Sequence, residues 1–154
     1  MKNYQLEFDG KLLERGFWVY VWEIYTPRNE KLFYVGRTGD SSSPNAASPF
    51  SRMSAHFSKN PKGNALLRNL RDKKIDPEKC KFKLHAYGPI FTEQKAFDKH
   101  KPFRDKAASI EVFVAKKLKE RGYEVIGNHP KNTKVNEVES EADEIIENLK
   151  EKFE

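Results

Sequence analysis

The chain predicts an α+β domain: a small three-stranded antiparallel sheet flanked by helices, with an acidic amphipathic helix at its C-terminal end. Three observations carry this. Trp18-Val19-Tyr20-Val21-Trp22 and Phe33-Tyr34-Val35-Gly36-Arg37 are short runs of aromatic and β-branched residues, and the segment between them holds Pro27 and Asn29, which suit a hairpin connection. Phe82, Leu84 and Ala86 alternate in the same way and supply a third strand. From about Arg104 to Arg121, Ala107, Ile110, Val114 and Leu118 recur at helical spacing, and Gly122 follows as a stop.

Taken in order, Tyr4, Leu6 and Phe8 alternate and predict an edge strand ending at Asp9-Gly10. The hairpin occupies residues 17 to 25 and 31 to 37. Residues 39 to 47 are small and polar, hence a loop. Ser48 then caps a helix with Pro49 at its first position, because the serine oxygen satisfies a free N–H and proline has none to lose. Phe50, Met53 and Phe57 form that helix's apolar face, and Pro61-Lys62-Gly63 ends it. Leu66, Leu67 and Leu70 mark a second helix to about Lys74. The third strand is closed by Gly88-Pro89. Thr92 caps a short helix through Phe97 that stops before Pro102, ahead of the long helix. Near Ser140 a last helix starts with a capping box that uses Asp143, and Ala142, Ile145, Ile146, Leu149 and Phe153 line one face of it.

At 154 residues, 11 Phe, 6 Tyr and 2 Trp are enough to build one core despite a hydrophobic fraction of 37%. A single cysteine, Cys80, excludes an intramolecular disulfide and fits a reducing, cytoplasmic setting. The absence of a long apolar run argues against a membrane span. Charge is uneven. Residues 137 to 154 hold eight acids and two bases, a net charge of −6, so residues 1 to 136 carry +12 of a chain total of +6. That change in charge divides the chain into a domain, 1–136, and an acidic helical extension, 137–154. A basic domain suits a polyanion, nucleic acid first.

The candidate chemistry begins at the hairpin. Each strand carries a tyrosine near its middle, Tyr20 and Tyr34, and Arg52 and His56 stand four residues apart on the next helix, hence on one side of it. Arginine grips phosphate bidentately, and histidine moves protons near neutral pH. With Val19-Tyr20, Tyr34-Val35-Gly36, Arg52-Met53-Ser54-Ala55-His56, Glu111 and Asn128 in that order, residues 17 to 130 resemble the GIY-YIG nucleases in their Tyr-Val-Gly variant. Trp18 stands where the family usually has glycine. The 13 residues between Tyr20 and Tyr34 are two or three more than usual, and the loop from Thr38 to Phe50 is long.

The resemblance implies a divalent-metal-dependent endonuclease that hydrolyses phosphodiester bonds, with DNA as the expected substrate. Tyr20 activates the attacking water, Tyr34 hydrogen-bonds the water or the phosphate, and Arg52 stabilises the developing charge. His56 orients Tyr20 or shuttles its proton. Glu111 holds Mg²⁺ or Mn²⁺, and Asn128 keeps the geometry. A phenol's pKa near 10 would need lowering by the metal and by Arg37 or Arg52. Arg37, Lys59 and Lys62 are candidate contacts to nucleic acid. Alternatives stand beside each role. Glu111 can instead form an ion pair with Lys116 or Lys117, Tyr25 rivals Tyr20, and Asn128 can be a turn residue beside Gly127. His85, His100 and His129 have no spacing that suggests a zinc site. At the level of function, the alternatives are a catalytically silent nucleic-acid-binding module on the same fold, or an adaptor acting through the acidic tail. Residues 140 to 153 would then meet a partner or dock on the chain's own domain.

Overall fold

The computed structural model describes residues 1–58 and 65–153, with the backbone alone of Phe153. Lys59, Lys62 and the helix stop at Pro61-Lys62-Gly63 lie outside the described residues. The elements are β1 (Phe17–Tyr25), β2 (Lys31–Arg37), α1 (Pro49–His56), α2 (Ala65–Asp72), β3 (Lys81–Phe91), α3 (Phe97–Glu120), β4 (Glu124–Ile126) and α4 (Glu139–Phe153). The α+β class is as expected, but the sheet is mixed and four-stranded, in the order β3-β1-β2-β4. The unforeseen strand, β4, pairs in parallel with β2. It is three residues long, too short for any alternation to register in the sequence.

The hairpin pairs Tyr20 with Gly36, Val21 with Val35 and Trp22 with Tyr34. Because strand side chains alternate, this register sorts the two faces. Tyr20, Trp22 and Ile24 pack on one side with Leu66, Leu67 and Leu70 of α2. Val19, Val21, Phe33 and Val35 pack on the other with Ile110, Val114 and Leu118 of α3. The hairpin turn closes with Thr26 N–H on the Glu30 carbonyl at 3.0 Å, and Asn29 takes the left-handed conformation there, φ 59°.

At α1, the Ser51 N–H donates to Ser48 Oγ at 3.2 Å, the cap that the sequence predicts. The end of α3 is a Schellman motif: Tyr123 N–H reaches the Leu118 carbonyl at 3.1 Å and Gly122 N–H reaches Lys119 at 2.9 Å. Gly122 has φ +84°, which glycine adopts without a Cβ penalty.

Four expectations are corrected. Gly88-Pro89 does not close the third strand, which runs through it from Lys81 to Phe91, where Phe91 still pairs with Phe17 of β1. Residues 4 to 8 form no strand. Tyr4, Leu6 and Phe8 are exposed, Phe8 leans on Phe50 with ring centroids 4.7 Å apart, and a short 3₁₀ turn follows over Gly10–Leu13. Alternation alone supplied no partner edge for this segment. Thr92 caps no helix, and the segments on either side of Pro102 are one helix of 24 residues containing that proline. Proline near a helix start removes one hydrogen bond, which a helix of that length survives. The last helix begins at Glu139, which puts Ser140 inside it, where its hydroxyl donates to Glu141 Oε2 instead of forming a capping box.

The acidic helix docks on its own domain. Ala142, Ile145, Ile146 and Leu149 are buried in the same cluster as Val19, Val21 and Leu118. Lys117 meets Glu139 at 3.0 Å and Asp143 at 2.8 Å, and Arg121 meets Glu147 at 3.3 Å. The change of charge at residue 137 is therefore not a break in packing. No helix among the described residues is long and apolar enough to cross a membrane. Ile146→Ala is expected to cost about 2–5 kcal/mol in urea unfolding by opening a cavity under α4. A loss below about 0.5 kcal/mol would mean that the helix is detached in solution.

Candidate active site

The β1–β2 register that pairs Tyr20 with Gly36 puts both tyrosines on the α1 side of the sheet. Gly36 is needed at that point, because a Cβ there would lie 2.5 Å from the Tyr20 hydroxyl. Helix α1 then lays His56 across both rings. Its Nε2 is 2.6 Å from the Tyr20 hydroxyl, and its ring centroid is 5.7 Å from that of Tyr20 and 5.2 Å from that of Tyr34. One helical turn earlier, Arg52 projects beside the same phenols and donates from Nη2 to Asp40 Oδ2 at 2.7 Å.

The second half of the cleft comes from the other layer. Glu111 on α3 reaches the end of β2 and accepts a hydrogen bond from Arg37 Nη1. Past β4 the chain runs on as Gly127-Asn128-His129, and the His129 ring lies against β2, its Nε2 3.2 Å from the Val35 carbonyl and 3.7 Å from Glu111 Oε1. Tyr34, Arg68, Asn69, Glu111, Asn128 and His129 line one cavity of about 190 Å³. Tyr34 is the shared member that joins this cavity to the Tyr20–His56–Arg52 cluster.

The structure therefore brings Tyr20, Tyr34, Arg52 and His56 together, and sets Glu111, Arg37 and Asn128 on the far side of Tyr34. Glu111 pairs with Arg37, 74 positions away in the chain, and not with the lysines near it on α3: Lys116 faces Glu120, and Lys117 faces the acidic helix. Tyr25 is elsewhere, at the far end of β1, with its hydroxyl on Glu23. Asp40 and Arg68 escaped the sequence reading, which weighs His129 only as a zinc ligand. Arg68 has a faint signal as the cation on the polar face of a leucine-striped helix, whereas Asp40 and His129 sit in loops whose partners only folding supplies.

Electrostatics corrects the expectation for Tyr20. Burial dominates and pushes its pKa up, and the Arg52 guanidinium opposes this only in part. Tyr34 is raised to about 12, by burial and then by the charge of Glu111. His56 is lowered to about 4, by burial and then by Arg52. Both phenols and the imidazole are thus neutral at pH 7. No cluster of three or more His, Cys, Asp or Glu at metal-binding distance occurs among the described residues. Among the described residues, Glu111 is the one that offers a carboxylate oxygen to the cavity. That donor set suits an ion such as Mg²⁺, which keeps most of its own waters.

Comparison of the chain with protein-family models, with curated proteins and with solved structures returned no match.

Gly36→Ala is expected to displace Tyr20 and to lower stability by about 1–3 kcal/mol in urea unfolding. Unchanged stability would show that the ring has room to move. A pH effect follows from His56. Its folded pKa of about 4 lies below the ordinary 6.5, so acid favours the unfolded chain. Stability is full above pH 6.5 and is lost as pH falls to 4, by about 3 kcal/mol from this residue. Denaturation series from pH 7 to 4 should slope less in His56→Gln than in the wild type. Parallel slopes would assign the acid sensitivity to other groups.

Proposed function

We propose that the chain is a divalent-metal-dependent endonuclease of the GIY-YIG kind that hydrolyses phosphodiester bonds in DNA. One observation carries this reading: four groups suited to phosphodiester hydrolysis (Tyr20, Tyr34, Arg52 and His56) cluster on one side of the hairpin, and Tyr34 also lines the cavity that holds Glu111. The basic surplus of residues 1–136 adds support, because a polyanion is steered to it.

In this mechanism Arg52 exchanges Asp40 for the scissile phosphate and stabilises the charge that develops on its non-bridging oxygens. Tyr34, a neutral phenol, donates a hydrogen bond to a phosphate oxygen. Tyr20 works as a relay. Its hydroxyl oxygen accepts a proton from the attacking water while its own proton passes to His56 Nε2, 2.6 Å away. The phenol never has to ionise, so its raised pKa is no obstacle, and the negative charge of the bound phosphate would offset the burial and the Arg52 charge that hold His56 weakly basic in the free protein. Water's oxygen bonds to phosphorus as the bond to the leaving oxygen breaks, and the leaving oxygen departs as an alkoxide that takes its proton from solvent. Glu111, and Asn128 at its rim, would hold Mg²⁺ or Mn²⁺, which supplies positive charge for the reacting phosphate.

The reading is tested with a labelled DNA duplex and with supercoiled plasmid, each in Mg²⁺ or Mn²⁺. Wild-type protein is expected to cleave, and Tyr20→Phe, Arg52→Ala and Glu111→Ala each to slow cleavage on the order of 10²–10⁴-fold. Equal product from all four proteins would reject the assignment. DNA retained without cleavage would leave a binding module.

A further inference from the structure

Charged groups at the cleft form closed pairs. Arg52 and Asp40 lie at the surface, with side chains 35% and 36% exposed. Arg37 and Glu111 are deeper, at 23% and 15%. Arg37 Nη1 holds Glu111 Oε2, while Arg37 Nε is buried without a hydrogen-bond partner. Thus Oε2, one of the two oxygens of the candidate carboxylate ligand, is engaged by a guanidinium. The other lies 3.7 Å from the His129 ring.

A divalent ion approaching Glu111 in this state meets a guanidinium on the same carboxylate, and the two cations repel. Removing Arg37 without replacement would open the carboxylate to the ion but leave it uncompensated whenever the ion is absent. A phosphodiester resolves both. Its two non-bridging oxygens offer the planar guanidinium a bidentate anionic partner, and as Arg37 turns to it the metal takes over Glu111. After the exchange Arg37 is paired with the phosphate and Glu111 with the ion, whose remaining positive charge faces the nucleic acid, and no covalent bond changes.

We propose that Arg37 is an exchangeable counter-ion that makes metal binding depend on substrate: it occupies Glu111 in the free protein and releases it when a backbone phosphate of nucleic acid takes the guanidinium. The proposal rests on the nuclease reading of the same cleft. It requires that the free protein bind metal weakly, and that metal and nucleic acid strengthen each other by the same factor, as linkage demands.

The test is Mn²⁺ binding followed by the EPR signal of the free ion, which needs no turnover. Wild type, Arg37→Gln, Arg37→Lys and Glu111→Gln are compared with and without a short DNA duplex, and the Glu111→Gln complex gives the Mn²⁺ held by DNA itself. Without DNA, Arg37→Gln is expected to bind Mn²⁺ about tenfold more tightly than wild type, within the range usual for coupled sites. Arg37→Lys, which keeps a cation, should stay near wild type. With DNA, wild type should gain about tenfold and Arg37→Gln little. If Glu111→Gln abolishes binding but wild type and Arg37→Gln are equal without DNA, the exchange is wrong and the metal site stands. If Glu111→Gln binds Mn²⁺ as wild type does, Glu111 is not the ligand, and the nuclease reading falls together with the exchange.

Discussion

The pairing of Tyr20 with Gly36 across the central hairpin decides what the rest of the molecule can be. It places one strand's phenol over the other strand's glycine, where any side chain would collide with it. The same register turns Tyr34 to the same face and sends Val19, Val21, Phe33 and Val35 to the other. A slip of one residue would exchange the faces, burying the tyrosines under α3 and α4 and presenting valines to α1. The two layers of helices can exist only because this register separates a core face from a face that also carries polar tips.

Each face then handles its polar groups differently. On the α1 side, burial keeps Tyr20 and His56 uncharged, and one short hydrogen bond joins the phenol to His56 Nε2. The opposite face buries a charge outright. Glu23 is 1% exposed, with Lys31 at 2.6 Å and the Tyr25 hydroxyl on Oε1, and His85 at 2.8 Å on Oε2. Burial alone would raise its pKa, but these partners outweigh that and hold it at about 2. A buried carboxylate persists only with such a complete set of donors. This network also explains why Tyr25, a plausible catalytic residue by position, has no access to the cleft.

The acidic helix illustrates how composition and packing diverge. Its charge suggests a detachable tail, but its apolar stripe completes the core beside α3, and its acids compensate Lys117 and Arg121. The stripe is therefore already covered by the chain itself. Of the surplus cations of the domain, those on this side of α3 are neutralised, while Arg52 and Arg37 sit at the cleft with carboxylates that an incoming phosphate can displace.

Local chemistry was legible in the chain before folding. Period-two alternation fixed β1, β2 and β3, the Ser48-Pro49 pair fixed the start of α1, and the spacing of Arg52 and His56 placed both on one helical side, because each of these depends on neighbours a few residues away. That each strand carries a tyrosine was also readable, but the register that puts Tyr20 and Tyr34 on a common face was not, because alternation alone left Tyr25 as a rival. Tertiary structure alone decided that Glu111 meets Arg37 and not Lys116, that His129 lies beside that carboxylate, that β4 exists, and that residues 4–8 stay outside the sheet. Those contacts join residues up to 94 positions apart, and burial, which shifts Tyr20 upward instead of downward, is a property of the packed molecule that no residue carries by itself.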